Sequence, residues 1–147
     1  MPDIWYRIGF ETSPEDVYNS LATVDGIASW WTPYVEGEYA VGRTLGFCFG
    51  NPEPSAIMEV VELAPPSRIS WRCVRGPDEW LATTVTFDLS HNEGETVLQF
   101  KHAGWQKQNE FMAHCSTAWA SYLLGLKRGL QGGKPNAWPD GTVSRWG

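Results

Sequence analysis

Acid–base chemistry in this chain would depend first on its histidines, and His102 is the best placed of the three. It ends the segment TVLQFKHA with the same alternation as Leu98 and Phe100, so its ring should lie on the covered side of a strand. There it is either a polar anchor or acid–base group in a cavity, because its ordinary pKa is close to neutral, or a structural histidine held by a backbone carbonyl. No nucleophile or second titrating group accompanies it at a recognisable spacing, which favours the structural alternative.

Glu59 and Glu62 are the carboxylates that could serve as an acid beside such a histidine. They have opposite parity within one strand-like segment, which allows one of the two to point inward. An inward carboxyl group whose pKa is raised by burial would be a candidate general acid, whereas a solvated glutamate at a strand edge is the commoner arrangement. The sequence leaves both alternatives open.

The cysteines predict neither a disulfide framework nor a metal centre. Cys48, Cys73 and Cys115 are widely spaced and form no Cys-x-x-Cys pair. His114 and Cys115 are neighbours in a helical pattern and point about 100° apart, so they make a poor metal pair. Cys73 and Cys115 fall on apolar stripes, where a free cysteine packs as a small hydrophobe. We therefore expect no metal and no cofactor.

Aromatic side chains are the strongest functional signal, since 9 tryptophans are far more than a core of this size requires. They form either a solid core between a sheet and a helix or a pocket walled by flat rings, and we favour the pocket. The hydroxyl group of Tyr122, the ring of His102 and the guanidinium of Arg43 would orient a ligand there. The predicted cavity lining consists of Trp30, Trp31, Trp71, Cys73, Phe87, Phe100, His102, Phe111, Trp119 and Tyr122.

The overall charge excludes one class of partner. A net charge of -6, with 11 scattered basic residues, is unsuited to nucleic acid, whose binding depends on clustered lysine and arginine. No apolar run reaches the length of a signal peptide or of a membrane span, which needs about 20 residues. We therefore expect a cytoplasmic protein of a single domain, a monomer or a homodimer.

Strands and two short helices make up the first two thirds of the chain. A first strand at 4–12 precedes a helix that Ser13 caps and that runs to about Leu21. Thr23 or Asp25 caps a second helix, which Pro33 ends. Alternating segments separated by turn sequences then predict five antiparallel strands. These strands are at 42–50, 55–63, 67–74, 81–90 and 95–103.

A long helix and a short tail complete the chain. Apolar residues recur at three and four from Phe111 to Leu130, with Asn109 as the cap and two glycines as the stop, which predicts about 22 residues or roughly 33 Å of helix. Residues 132–147 predict an irregular tail. Trp138 and Trp146 would be unusual in a free tail, so we expect part of it to pack on the domain of residues 1–131.

The order of these elements predicts an α+β fold in which an antiparallel sheet is covered by the long helix. Four stretches carry a resemblance to a known family: SPEDVYNSLATVDGIASWWT, MEVVELAPPSRISWRC, VTFDLSHNEGETVLQFKHAGW and TAWASYLLGLKRGL. In this order they resemble a START-like (SRPBCC, helix-grip) domain. More narrowly, they resemble homologues of the C-terminal domain of the activator of the ninety-kilodalton heat-shock protein ATPase. The resemblance implies a curved six-stranded antiparallel sheet wrapped around a long C-terminal helix, with two short helices between strands 1 and 2.

The resemblance also implies a choice of functions, because this fold carries several. The first is the binding of a small hydrophobic or aromatic ligand between the sheet and the C-terminal helix. The second is a cyclase or dehydratase that acts on aromatic, polyketide-like intermediates. The third is a stress-related, co-chaperone-like module with a protein partner. The chain lacks the separate N-terminal module of true chaperone activators, which counts against the third function. The excess of aromatic residues and the order of the elements favour the first.

The adjacent tryptophans of IASWWTPY should have different roles, since neighbours in a helix point about 100° apart. Ile27 and Trp31, four residues apart, form the better stacked pair. We therefore assign Trp31 to packing and Trp30 to the mouth of the cavity.

Overall fold

Seven strands and three α-helices form the protein in the computed structural model, which describes residues 1–145. The prediction for Trp146 lies outside these residues. A short 3₁₀ helix, Asp78–Trp80, follows β5. In chain order the elements are β1 (Ile4–Phe10), α1 (Pro14–Ala22), α2 (Val24–Trp30), β2 (Val35–Gly37), β3 (Thr44–Phe47), β4 (Ala56–Ala64), β5 (Arg68–Arg75), β6 (Thr84–Asn92), β7 (Glu95–Ala103) and α3 (Glu110–Leu130).

The strands form one open antiparallel sheet in the order β1-β7-β6-β5-β4-β3-β2. The first strand therefore pairs with the last one, while the other strands follow one another. β6 and β7 are joined by a two-residue turn, in which Glu93 and Gly94 both have positive φ (51° and 81°). This is the backbone geometry that matches the twist of a tight hairpin, as the sequence HNEG predicts.

The prediction of six strands is wrong, because β2 adds a seventh at the sheet edge. β2 has three residues and only Val35 among them is apolar, so no alternation of polar and apolar residues can be recognised in it. It pairs Val35 with Phe47 and Gly37 with Leu45. Two other strand predictions also differ from the structure. β3 covers only Thr44–Phe47, which is shorter than predicted, and β6 covers Thr84–Asn92, because a 3₁₀ turn precedes it.

Each α-helix begins at a side-chain cap. Ser13 accepts a hydrogen bond from the amide of Asp16, and Pro14 takes the first helical position of α1. Thr23 ends α1 and also caps α2 through the amide of Gly26. Asn109 caps α3 through the amide of Met112. These caps fix where α1 and α2 leave the sheet and where α3 begins to cross it.

The core lies between the inner face of the sheet and α3. Contacting rings connect β5 to the helix: Trp71 lies 5.1 Å from Phe87, Phe87 lies 5.4 Å from Phe100, and Phe100 lies 4.7 Å from Trp119. All four side chains are buried. The sheet and the helix are thus in close aromatic contact at the centre of the domain, and the space between them is filled there.

Neither Glu59 nor Glu62 points inward, so the solvated arrangement, the commoner of the two alternatives, is the one present. A β-bulge in β4 lies between Val60 and Glu62, and it restores both glutamates to the outer face despite their opposite parity. Glu59 binds Arg72 at 3.0 Å and Glu62 binds Arg68 at 2.9 Å across the strand pair. Neither carboxylate is therefore placed for acid–base chemistry inside the domain.

Candidate functional site

A cavity of about 410 Å³ lies beside α3, at the end of the domain where several loops and the tail meet. α3 forms one wall, the end of α2 and the β3–β4 loop form another, and the segment after β5 and the tail close the rest. The lining residues are Trp31, Phe49, Ser55, Ala56, Pro77, Trp80, Phe111, His114, Cys115, Ala118, Trp119, Tyr122, Trp138, Thr142, Val143, Ser144 and Arg145.

Four of the predicted cavity residues do line this space: Trp31, Phe111, Trp119 and Tyr122. Three of them come from α3, whose 3.6-residue repeat brings positions 111, 115, 118, 119 and 122 to one side of the helix. The helix cap at Asn109 sets this rotation. The first half of α3 is therefore the framework of the site.

The other predicted cavity residues are packed inside the core. Their side chains meet neighbours on both sides of the sheet–helix interface, so a ligand between the sheet and the middle of α3 would have no room. The cavity therefore lies closer to the loops than the sequence predicts. The residues concerned are Trp30, Trp71, Cys73, Phe87, Phe100 and His102, all of which are 0 to 2% exposed.

The assignment of the adjacent tryptophans is inverted. Trp30 is completely buried, and its indole N–H donates to the carbonyl of Ser20 in α1 at 2.9 Å, so it ties the two short helices together. Trp31 ends α2, and its ring lies 4.7 Å from Trp119 and 4.4 Å from Phe47. One face of Trp31 therefore packs on the core while the ring also lines the cavity.

Polar side chains hold His102 at both ring nitrogens. The indole N–H of Trp119 donates to Nδ1 (3.2 Å), so Nε2 carries the proton and donates to Oγ1 of Thr83 (2.8 Å). The Thr83 hydroxyl in turn donates to the carbonyl of Trp80 (2.5 Å). The histidine is structural, as favoured, although its partners are side chains and not a backbone carbonyl. Through them it positions two rings of the cavity wall, Trp80 and Trp119.

Burial lowers the pKa of His102 to about 3. Desolvation penalises the charged imidazolium, and no carboxylate contacts the ring to offset it. The ring is therefore neutral at physiological pH and fully committed to its two hydrogen bonds. It is not available as an acid or a base for a molecule in the cavity.

Cys115 and Trp80 meet on the cavity wall. The indole N–H of Trp80 lies against the Cys115 thiol, a weak acceptor, and has no stronger partner among residues 1–145. Burial raises the pKa of this thiol to about 11, an effect larger than the opposing contact with Trp80. Cys115 thus behaves as an apolar wall group, as its position on the helical stripe predicts.

Arg43, predicted to provide a polar contact, does not line the cavity. Its side chain is 69% exposed on the β2–β3 turn and lies 3.6 Å from Glu38. The polar groups of the cavity come from other places: His114 on α3, Thr142, Ser144 and Arg145 in the tail. The hydroxyl of Ser144 is 2.5 Å from Nδ1 of His114.

Sequence reasoning missed Trp80, Phe49 and Trp138 as lining residues. Trp80 lies between the turn sequence GPDE and the predicted strand 81–90 and was assigned to neither, and Phe49 lies beyond the end of β3. For Trp138 the signal was present, since a tryptophan in a Pro- and Gly-rich tail already predicts packing. Its amide donates to the carbonyl of Trp31 at 2.7 Å, and its ring meets Phe49 edge-on at 6.3 Å.

The tail is held along a strip of small residues on α3. Asn136 donates to the hydroxyl of Ser121 (3.3 Å), and Ser121 donates to the carbonyl of Gly141 (3.1 Å). Gly125 makes this approach possible, because a β-carbon there would lie 1.7 Å from Oδ1 of Asn136. Pro135 packs against Gly129 in the same way. The small residues of α3 thus determine where the tail crosses the cavity.

Residues 1–145 contain no recognisable metal centre and no membrane-spanning helix. No group of three or more histidine, cysteine, aspartate or glutamate side chains in this range could hold a metal ion. None of the helices in the same range is long and apolar enough to cross a membrane.

Comparison with known proteins identifies the relatives of this chain. Residues 11–131 match the family described as "Activator of Hsp90 ATPase homolog 1-like protein". The solution structure of the Aha1 dimer from Colwellia psychrerythraea is 38% identical, with 91% of this chain and 99% of that chain covered and a TM-score of 0.83. No significant match was found among the curated proteins.

More distant structures share the fold. CalU16 from Micromonospora echinospora is 18% identical, with 88% of this chain and 74% of that chain covered and a TM-score of 0.74. An Hsp90 activator from Plasmodium falciparum is also 18% identical, covers 88% of this chain and 96% of its own, and has a TM-score of 0.71. At these identities the likeness shows an α+β fold with an antiparallel sheet and a C-terminal helix.

Proposed function

The chain belongs to the Activator of Hsp90 ATPase homolog 1-like family, and from that premise we propose that it binds a small apolar or aromatic molecule in the cavity beside α3. The START-like fold of the family is consistent with such a role. The observation that supports the proposal is the cavity itself: about 410 Å³, walled chiefly by rings and with a few polar groups at one side. Ligand sites in proteins have this size and this composition.

The aromatic wall is rigid enough to select a flat ligand. Trp80 and Trp119 are stacked at 6.1 Å and 15°, and Trp119 lies 4.7 Å from Trp31. The hydrogen bonds of His102 and Thr83 fix Trp119 and the backbone at Trp80. A planar apolar molecule would therefore meet preformed ring faces, and little side-chain freedom would be lost on binding.

Filling the cavity tests the proposal. Ala118→Phe places a ring from α3 inside the cavity, whereas Ala113→Phe makes the same change on the same helix at an exposed position that does not line it. With 2-naphthamide as a neutral flat probe, we expect the parent chain and Ala113→Phe to bind in calorimetry and Ala118→Phe to lose most of the affinity. Absence of binding to the parent chain, or equal binding by all three proteins, contradicts the proposal.

A protein partner is the second candidate function, and the family assignment favours it. The 38% identical relative is an Aha1 protein that was solved as a dimer, which makes an Hsp90-type chaperone or a second copy of the chain the partner to test. A change in the ATPase rate of the chaperone on addition of this protein, with a detectable complex, would support it. An unchanged rate and no complex would exclude it.

The three free thiols, Cys48, Cys73 and Cys115, suit the reducing cytoplasm in which such a chaperone works.

The enzyme alternative depended on His102 and an inward carboxylate. His102 lies in the core with both nitrogens occupied, and Glu59 and Glu62 are on the outer face of the sheet. The residues chosen for acid–base work are thus not brought together in the cavity. Of the two functions, binding without a chemical step is the one that the cavity supports.

A further inference from the structure

We propose that the ligand of this cavity is an aromatic acid, whose rings lie against the tryptophan wall and whose carboxylate is bound by Arg145 in the tail. This inference rests on the proposed function, since it names the chemical class that the same cavity accepts. It adds the charge of the ligand and the residue that recognises it.

The charged residues around the cavity favour an anionic ligand. Acidic residues outnumber basic ones by 17 to 11 in the whole chain. Among the lining residues that the structure describes, Arg145 nevertheless carries a permanent positive charge and none is a carboxylate. Glu79, beside Trp80, acts electrostatically on the Cys115 thiol from outside the lining, so the positive charge is confined to the tail side of the cavity. An anionic group would be attracted there by Arg145.

Most of the polar lining groups belong to the tail or contact it, and Ser55 in the β3–β4 loop is the exception. Four consecutive tail residues, 142–145, line the cavity, and three of them carry a hydroxyl or a guanidinium. Ser144 meets the His114 ring, and the Tyr122 hydroxyl lies beside Thr142. Indole and phenyl rings, together with small groups such as Ala56 and Pro77, form most of the remaining wall. A ligand with a flat apolar body and one polar end would match this division, because each part would lie against groups of its own kind.

Arg145 has no ion-pair partner among residues 1–145. The ion pairs within the described part of the chain involve Arg43, Arg68 and Arg72, and no carboxylate there lies within 4.0 Å of Arg145. Its guanidinium can present two parallel N–H donors to a carboxylate, the geometry in which arginine recognises such groups. Because Arg145 is exposed, water and salt weaken the pair, so we expect a contribution of about fivefold in affinity and not more.

A cationic ligand is the competing chemistry, since tryptophan faces also attract cations. Matched naphthalene probes separate the possibilities. 2-Naphthoate, 2-naphthamide and 2-naphthylmethylammonium share one ring system and differ in charge. Their affinities for the parent chain, for Arg145→Gln and for Arg43→Gln can be measured by calorimetry at low salt. Arg43→Gln is the matched control, because it removes the same charge at an exposed position outside the cavity.

The parent chain should bind 2-naphthoate about fivefold more tightly than 2-naphthamide, and the ammonium probe most weakly. Arg145→Gln should remove the preference for the acid and leave the affinity for the amide unchanged, while Arg43→Gln should keep both. Higher salt should reduce the preference. Equal affinity for acid and amide, tighter binding of the ammonium probe, or a preference that survives Arg145→Gln overturns the inference while the proposed function stands. If no probe binds, both are overturned.

Discussion

The imidazole of His102 is enclosed by three indole rings, those of Trp80, Trp105 and Trp119, at centroid distances of 4.8, 5.0 and 6.0 Å. A strand position with inward parity predicted its burial correctly. The neighbours could not be predicted, because Trp80 and Trp119 come from segments distant in sequence whose meeting depends on the fold. Alternation indicates which face a side chain takes, but it does not indicate what covers that face.

Acidification should destabilise the protein through His102. Its pKa is about 3 in the folded protein and about 6.5 when unfolded, so between these values the unfolded chain binds the extra proton. The free energy of unfolding therefore falls as the pH is lowered through this range, by at most about 1.4 kcal/mol per pH unit from this group. Urea unfolding from pH 7 to pH 4 measures it.

The contribution of His102 can be isolated with two glutamine variants. His102→Gln cannot take up the proton, so its stability should fall less steeply toward acid than that of the parent chain. His91→Gln makes the same substitution at an exposed position on β6 and is the matched control for the loss of a histidine. Parallel pH profiles for His102→Gln and the parent chain would contradict the assignment of the pH dependence to this ring.

At the scale of elements, the strands and helices with clear periodicity were predictable and the irregular segments were not. β7 was predicted at its observed bounds, Glu95–Ala103, and the caps of α1 and α3 were recognised by residue type. The bulge in β4 and the three-residue β2 were not predicted, because a single extra residue or a very short strand leaves no periodic signal in the sequence. The loops and tail that form most of the cavity are of this second kind.

The contact between the tail and α3 makes Gly125 an unusual helix glycine. In an ordinary helix, Gly→Ala stabilises by about 1 kcal/mol. Here the new β-carbon would lie 1.7 Å from Oδ1 of Asn136, so we expect Gly125→Ala to destabilise the protein by about 1–3 kcal/mol through overpacking. Chemical denaturation of the variant and the parent chain measures the difference.

A double-mutant cycle shows whether the tail causes that cost. Asn136→Gly removes the side chain that the new methyl group would meet, so the penalty of Gly125→Ala should shrink by about 1 kcal/mol or more in its presence. Additive effects of the two changes would mean that the tail does not lie on Gly125 in solution.

At the scale of the whole molecule, the tail and the core together form the cavity. Removal of the tail should therefore reduce the rise in Tm that a bound ligand causes. At one hundred times its Kd, a ligand that binds only the folded state adds about 2.7 kcal/mol to the free energy of unfolding, which for a chain of this size raises Tm by about 5–10 °C.

We expect this rise with 2-naphthamide for the full chain. A chain that ends at Arg145 should show it too, because it keeps all the lining residues found within 1–145. A chain that ends at Gly133 loses the five lining residues Trp138, Thr142, Val143, Ser144 and Arg145, and its Tm should rise by less than half as much at the same probe concentration. Differential scanning calorimetry gives all three shifts. The same shift in the Gly133 chain as in the full chain would mean that the tail is not part of the binding site.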